Sequence, residues 1–334
     1  MLDIYRYLLR PLLFKLAPER AHSLSSRAIG YMPKWLWPTV PAAPVDCLGM
    51  HFANPVGLAA GMDKNADFID GFGRMGFGFI EVGGVTPLPQ SGNPSPRLFR
   101  YPDNSSLINR LGLNNKGLDY LAYKLETRQY QGIVGANICK NNHTEIKNAP
   151  ADYQQCYQTL YPLVDYVSAN ISCPNTDNLH EMQENDHLKR LLNTLKNQQA
   201  KSHAETHRKV PLFVKLSPDL SVSQIEAMVE LLISFEIDGV MASNTTVSRP
   251  ASIRTKETGG LSGAVLNQLS TQVIKQLHES AQDRLPIIGL GGIMSGDDAS
   301  EKFQAGASLI QLMTGLVYRG PGLIKECVEA YNAQ

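Results

Sequence analysis

Residues 165–176 read Asp165-Tyr166-Val167-Ser168-Ala169-Asn170-Ile171-Ser172-Cys173-Pro174-Asn175-Thr176. The stretch Asp165 to Ile171 reads as a buried strand, and the residues after it are polar and rich in turn formers. The same plan recurs along the chain: an apolar run entered from a turn and left through a polar or glycine-rich end. It appears at Pro55 to Ala60, Gly78 to Val82, Gly132 to Asn137, Pro211 to Leu216, Gly239 to Ser243, Pro286 to Gly291 and Ser308 to Met313. Near-continuous apolar strands indicate a parallel sheet covered on both faces. Stretches such as Ser223 to Phe235 and Ser270 to Ala281 carry helical spacing. Eight such units imply an α/β fold closed as a (β/α)8 TIM barrel. The competing reading is an open doubly wound sheet, but no Gly-x-Gly-x-x-Gly opens its first helix.

Two parts fall outside the repeating units. Residues 1–45 precede the first strand and are expected to form a short helical extension, leaving 46–334 as the barrel domain. The long connection between strands two and three is expected to carry extra structure beside the mouth. Basic and acidic residues balance at 31 each, so there is no electrostatic case for nucleic acid. The five cysteines, Cys47, Cys139, Cys156, Cys173 and Cys327, are scattered and contain no Cys-x-x-Cys pair. That argues against a metal or iron–sulfur site and for a reducing compartment. Charges within the N-terminal apolar stretch argue against a signal peptide, and no apolar run reaches the roughly 20 residues of a membrane-spanning helix.

In such barrels the chemistry sits at the carboxyl ends of the strands. Here those ends hold Ala60-Gly61-Met62-Asp63-Lys64, Gly83-Gly84-Val85-Thr86, Asn137, Asn170 to Thr176, Lys215, Ser243-Asn244-Thr245-Thr246, Gly291-Gly292 and Met313-Thr314-Gly315. Any one of these residues is commonly a turn former or a solvated surface group. Two lysines and three asparagines gathered at strand ends are harder to assign to turns. An amide offers donors and an acceptor without charge, so a ring of amides suits a planar ligand with imide and carbonyl groups. Lysines add positive charge where negative charge collects, and the glycines after the last strands suit a phosphate. Together they describe a phosphate-bearing planar cofactor beside a small planar anion.

The chain also resembles a known family, the dihydroorotate dehydrogenases, and within it the class 2, quinone-linked branch. The resemblance runs through Pro18-Glu19-Arg20-Ala21-His22, Asn54 to Gly61, Arg97-Leu98-Phe99-Arg100, Asn109-Arg110-Leu111-Gly112, Asn170 to Thr176, Ser243 to Thr246 and Thr258 to Gly263. It implies FMN in the barrel mouth and oxidation of dihydroorotate to orotate in pyrimidine synthesis. By matching position, Ala60, Gly61, Met62, Asp63, Lys64, Gly84, Asn137, Asn170, Lys215, Ser243, Gly263, Gly292, Met313 and Thr314 are the expected cofactor contacts. Lys64, Asn109, Arg110, Leu111, Gly112, Leu113, Asn170, Asn175, Asn244 and Thr245 are the expected substrate contacts. The family usually has threonine at Gly84 and phenylalanine at Leu113. It implies a base that takes a proton from substrate carbon 5 while hydride leaves carbon 6 for the flavin. Class 2 normally has serine at Cys173, and class 1 has cysteine. A thiol titrates near pH 8.5, within reach of neutrality, so Cys173 is the expected base and adjacent Ser172 the alternative. Residues 174 to about 190 are read as a lid over the substrate.

Leu2, Tyr5, Leu8, Leu9, Leu12, Leu13 and Leu16 lie near one helical stripe with Arg6, Arg10 and Lys15 beside it. Such a face can lie in a membrane surface or pack on the barrel. The class 2 resemblance implies a quinone entrance, with His22 and Arg100 beside it, a ubiquinone-type acceptor, and a monomer attached peripherally to the cytoplasmic face of the inner membrane. The alternatives are a class 1 enzyme using fumarate or NAD, a flavin-free barrel lyase or isomerase using Lys64 or Lys215 through a Schiff base, and a non-catalytic membrane-binding barrel.

Overall fold

A computed structural model describes residues 4–172 and 185–334. Eight parallel strands close into a barrel: Val56–Leu58, Phe79–Val85, Ile133–Ile138, Tyr166–Asn170, Leu212–Leu216, Gly239–Ala242, Ile287–Leu290 and Leu309–Leu312. These are the eight expected runs in the expected order, so the open-sheet alternative falls. Helices expected at Ser223 to Phe235 and Ser270 to Ala281 span Val222–Ser234 and Asn267–Ala281. The first begins on a capping box in which Ser221 accepts from the Gln224 N–H and Gln224 accepts from the Ser221 N–H.

Side chains alternate faces along a strand, and this fixes what fills the barrel. Inward positions on strand two are Phe79, Glu81 and Gly83, and on strand four Tyr166, Ser168 and Asn170. Phe79, Tyr166, Phe213, Met241, Ile288, Leu290 and Leu309 form an interior cluster, separate from the larger core between barrel and helices. Glycine makes room for its rings. A side chain at Gly57, Gly135 or Gly239 would collide with the ring of Phe79, Tyr166 or Phe213 respectively. The lower end is closed by a hairpin, Val45–Cys47 with Met50–Phe52, whose Phe52 meets Phe79 edge to face with centroids 5.2 Å apart. The bottom of the barrel is therefore apolar and solid, and polarity rises toward the mouth.

The long connection after strand two carries Leu98–Tyr101 and Ser106–Asn109, which join Gly260–Gly263 in a three-stranded antiparallel sheet. A segment near residue 109 and one near residue 260 thus meet at the rim. The extension forms a helical run through Tyr5–Leu9 and Arg10–Phe14, a helix Pro18–Tyr31 and one further short turn, Lys34–Leu36.

Candidate active site

Period-two alternation delivers the expected residues to one place. The uppermost inward position is Gly61 after strand one, Gly83 on strand two, Asn137 on strand three, Asn170 on strand four and Lys215 on strand five. Ser243, Gly292 and Met313 occupy the same level on the remaining strands. Pairing confirms the level: Asn137 lies opposite Gly83 and Ser168, and Asn170 opposite Lys215.

The amides are bonded into one another. Asn137 Nδ2 donates to Ser168 Oγ at 2.7 Å, Asn170 Nδ2 to Asn137 Oδ1 at 3.2 Å, and Asn244 Nδ2 to Asn170 Oδ1 at 3.3 Å. Ser172 donates through its hydroxyl to Asn170 Oδ1 at 3.3 Å and accepts from Asn244 Nδ2 at 3.1 Å. The Tyr153 hydroxyl holds the Asn170 carbonyl at 2.6 Å. Lys64 Nζ bonds Asn114 Oδ1 at 2.5 Å, and Thr314 Oγ1 bonds Ser262 Oγ at 2.8 Å. The two lysines and three asparagines therefore surround one mouth.

A register shift between Gly83 and Val85 marks a bulge that turns Gly84 out of the ladder. A Cβ there would lie 3.1 Å from Asn137 Oδ1, 3.1 Å from Cys139 Sγ and 3.3 Å from Leu113 Cδ2. The two departures from the family pattern, Gly84 and Leu113, are thus neighbours. Leu113 has φ +52°, a left-handed turn that Asn115 stabilises by donating to the Leu113 carbonyl at 2.8 Å.

Several expected contacts turn their side chains elsewhere. Arg110 reaches outward to Glu257 Oε2 at 2.5 Å and the Pro96 carbonyl at 3.0 Å, and it stacks over Phe99. It ties the insertion to the segment after strand six. Met62 is buried in the outer core. Asp63 accepts from the N–H groups of Asp67 at 2.9 Å and Phe68 at 2.8 Å, and burial raises its pKa to about 6. These residues shape loops whose backbones remain available. Glu81, Ser168 and Asn142 are bonded to expected site residues, directly or through one another, although the sequence did not single them out. Glu81 had a signal, an acid within an otherwise apolar strand. Cys173, Asn175 and the expected lid, through residue 184, lie outside the described residues.

The donor set suits a phosphate-bearing planar group. Gly61, Gly263 and Gly292 have φ of +100°, +108° and +78°, so backbone replaces side chain at three points of the rim. Asn142 Oδ1 is buried without a partner among the described residues, near enough for its Nδ2 to reach the Gly112 carbonyl at 3.4 Å.

A family model described as dihydroorotate dehydrogenase matches residues 42–333. The chain belongs to the dihydroorotate dehydrogenase family. It is 47% identical over 336 residues to a dihydroorotate dehydrogenase (quinone) of Marinobacter nauticus, covering 98% of each chain. It is likewise 47% identical to the protein so named in Acinetobacter baylyi, covering 97% of this chain and 98% of that one. Among solved structures it resembles the Eimeria tenella enzyme crystallised with ferulenol, with a TM-score of 0.87, 33% identity, and coverage of 96% and 93%.

In this family member the extension is fastened to the barrel through backbone carbonyls. Arg100 donates to the carbonyls of Phe14 at 3.4 Å and Leu16 at 2.8 Å and sits 4.6 Å over the Phe14 ring. Arg10 donates to Tyr318 O at 2.8 Å, and Tyr5 to Val317 O at 2.6 Å. His22 keeps solvent-accessible surface while protein groups crowd its ring. Burial, then the nearby Lys64 charge, pushes its imidazole pKa down. The Pro18–Tyr31 helix packs against Ile69–Gly73 and Leu98–Tyr101. The apolar stripe divides: Tyr5 and Leu13 are half-buried, while Leu8, Leu9, Leu12 and Leu16 are exposed, and Leu2 is outside the described residues.

Proposed function

We propose that the chain oxidises dihydroorotate to orotate with FMN in the barrel mouth and passes the electrons to a ubiquinone-type quinone. The supporting observation is the convergence of Lys64, Asn137, Asn170, Lys215 and Asn244 on one rim above a closed apolar floor. Asn137, Asn170, Lys215 and Ser243 would hold the flat ring system, the backbones of Gly263 and Gly292 with Thr314 the phosphate, and Gly61 and Gly84 would let the ring approach the chain. When bound, FMN supplies a two-electron acceptor.

The protein's own residues then have separate tasks. Lys64 and the segment Asn109 to Leu113 bind the substrate carboxylate and one ring edge. Asn170 and Asn244 exchange their present bonds for the pyrimidine amides, and Asn175 and Thr245 complete that set. Cys173 removes the proton from carbon 5 as the carbon 6 hydride departs. Ser172 is the weaker candidate for base, since its hydroxyl is committed to Asn170 and Asn244.

The extension supports peripheral attachment to the inner membrane's cytoplasmic face. Ten of the fifteen exposed large apolar side chains among the described residues lie between Ile4 and Leu36, with Tyr31 90% and Trp35 80% exposed. Among the described residues no helix is long and apolar enough to cross a membrane. An apolar surface of this kind suits immersion to the headgroup boundary. Under anaerobic conditions dihydroorotate should bleach the yellow protein and quinone should restore the colour. Protein that takes up no flavin, or flavin that dihydroorotate leaves oxidised, would refute the reading. Deleting residues 1–45 should abolish quinone reduction while dye reduction persists, and undiminished quinone turnover would refute the entrance.

A further inference from the structure

Below the amides lies a group that the proposed chemistry does not use. Glu81 is fully buried in the barrel interior. Its Oε1 accepts from Ser168 Oγ at 2.9 Å, and its Oε2 accepts from Tyr166 Oη at 3.0 Å and Gln311 Nε2 at 2.7 Å. Burial, followed by the adjacent Glu81, raises the Tyr166 pKa well above the ordinary phenol value, which keeps that hydroxyl a donor.

A carboxylate only accepts, whereas hydroxyls and amides do both. The Ser168 proton is therefore spent on Glu81, and the Ser168 oxygen can only accept from above. Asn137 must present Nδ2 to it, which turns Asn137 Oδ1 toward Asn170. Asn170 must then present Nδ2 downward, which leaves its Oδ1 for Asn244 Nδ2 and Ser172. We infer that Glu81 is a positioning residue: through Ser168 it anchors from below the amide order of Asn137 and Asn170 that the Ser172 N–H, donating to Asn170 Oδ1 at 3.2 Å, anchors from above. Its functional consequence rests on the flavin and pyrimidine reading, because a fixed donor and acceptor pattern is what distinguishes a ring carbonyl from a ring N–H.

Replacing the carboxyl group by an amide should weaken the preference. In a Glu81→Gln variant, the new amide can offer Ser168 either its oxygen or its nitrogen. In the second case the Ser168 proton turns upward and Asn137 and Asn170 reverse. The Gln311 Oε1, buried and without a partner among the described residues, can meet the new Nε2 in the first case. The reversed pattern takes the Asn170 acceptor away from the Ser172 N–H, so it should appear as a minor population beside the original one.

The test monitors the side-chain amide resonances of isotope-labelled asparagine in the purified protein, with FMN affinity measured in parallel. Wild type should give one set of resonances for Asn137 and Asn170, and Glu81→Gln two. Ser168→Ala should also give two sets and weaken FMN binding about tenfold, the size expected for one lost internal bond. Ser168→Thr, which keeps the hydroxyl, should return one set and an affinity within about twofold of wild type. A single unchanged set in both Glu81→Gln and Ser168→Ala would overturn the inference, as would a fall in melting temperature with amides and FMN affinity unmoved. Wild-type protein that binds no FMN would instead refute the flavin reading, and the resonances would still decide the role of Glu81.

Discussion

Glu19 is the best place to ask whether the extension works as a docked unit. It lies in the first turn of the Pro18–Tyr31 helix and reaches the barrel insertion at Arg97. Arg97 Nε lies 3.1 Å from each Glu19 oxygen and Nη2 lies 2.9 Å from Oε2, a two-pronged contact. An exposed ion pair would contribute less than about 1 kcal/mol. Here the guanidinium is 14% and the carboxylate 37% exposed, and the arginine is held from behind by the carbonyls of Ser91 at 2.7 Å and Asn93 at 2.8 Å. Partial burial and bidentate geometry raise the contribution, and partial exposure limits it, to about 2 kcal/mol. Glu19→Ala deletes that contact while leaving Arg97 on its loop. At 1.4 kcal/mol per tenfold, amides of residues 18–31 should exchange about 30-fold faster while those of the barrel strands are unchanged. Quinone turnover should fall more than dye turnover, because in the proposed arrangement only the former needs the docked helices. Exchange within threefold of wild type and an unchanged quinone-to-dye ratio would refute the reasoning.

Gly71→Ala attacks the same junction from the barrel side. The new methyl would sit 2.7 Å from the Ile29 carbonyl and 2.9 Å from Gly30 Cα, and backbone cannot yield as a side-chain tip can, so a thermal melt should show a loss of about 2 kcal/mol. The depressed His22 pKa means that the unfolded chain binds the proton more tightly; the stability from neutral His22 is present above pH about 6.5 and is lost as pH falls through the lower folded value. Acid should therefore loosen residues 18–31 in hydrogen exchange, and His22→Gln should flatten that dependence. For Cys173→Ser, the alkaline rise in kcat expected near pH 8.5 for a thiol should move upward and kcat at pH 7 should fall at least tenfold; unchanged turnover in Cys173→Ala would exclude this residue as the base.

The strands were legible because a buried parallel strand must be apolar along its length and must leave through residues that can turn. No tertiary knowledge is needed to see that in Pro211 to Leu216. The mouth was legible because lysine and asparagine at such ends conflict with burial unless something binds there. Arg110 turns its side chain outward, which the pattern that draws notice to it does not reveal. It occurs within a motif that contributes backbone to the rim, and motif matching does not say which way a side chain points. Its partner Glu257 is far away in sequence, and the antiparallel pairing of Ser106–Asn109 with Gly260–Gly263 has no local signal. The N-terminal stripe could not be resolved for a related reason. Periodicity finds an apolar face, yet Tyr5 reaches the Val317 carbonyl while Leu8 and Leu12 stay exposed, and a helix apolar over so wide an arc has two faces to place.

The interior of the barrel explains why site and fold are hard to separate in this chain. Strand four carries a ring, a hydroxyl and an amide at successive inward positions, Tyr166, Ser168 and Asn170. The lowest is packed by Phe79 and Phe213, with centroids 6.3 and 5.3 Å away. That packing requires glycine at positions 57, 135 and 239. A side chain at Gly135 would displace Tyr166, and the displacement would reach Glu81, since Tyr166 bonds it directly, and thence Ser168 and Asn137. Gly135→Ala should therefore cost more than its own methyl. It should lower stability and at the same time broaden the asparagine resonances at the mouth, two strand positions higher. If stability falls while those resonances stay sharp, floor and mouth are independent layers, and the coupling through the barrel interior is not real.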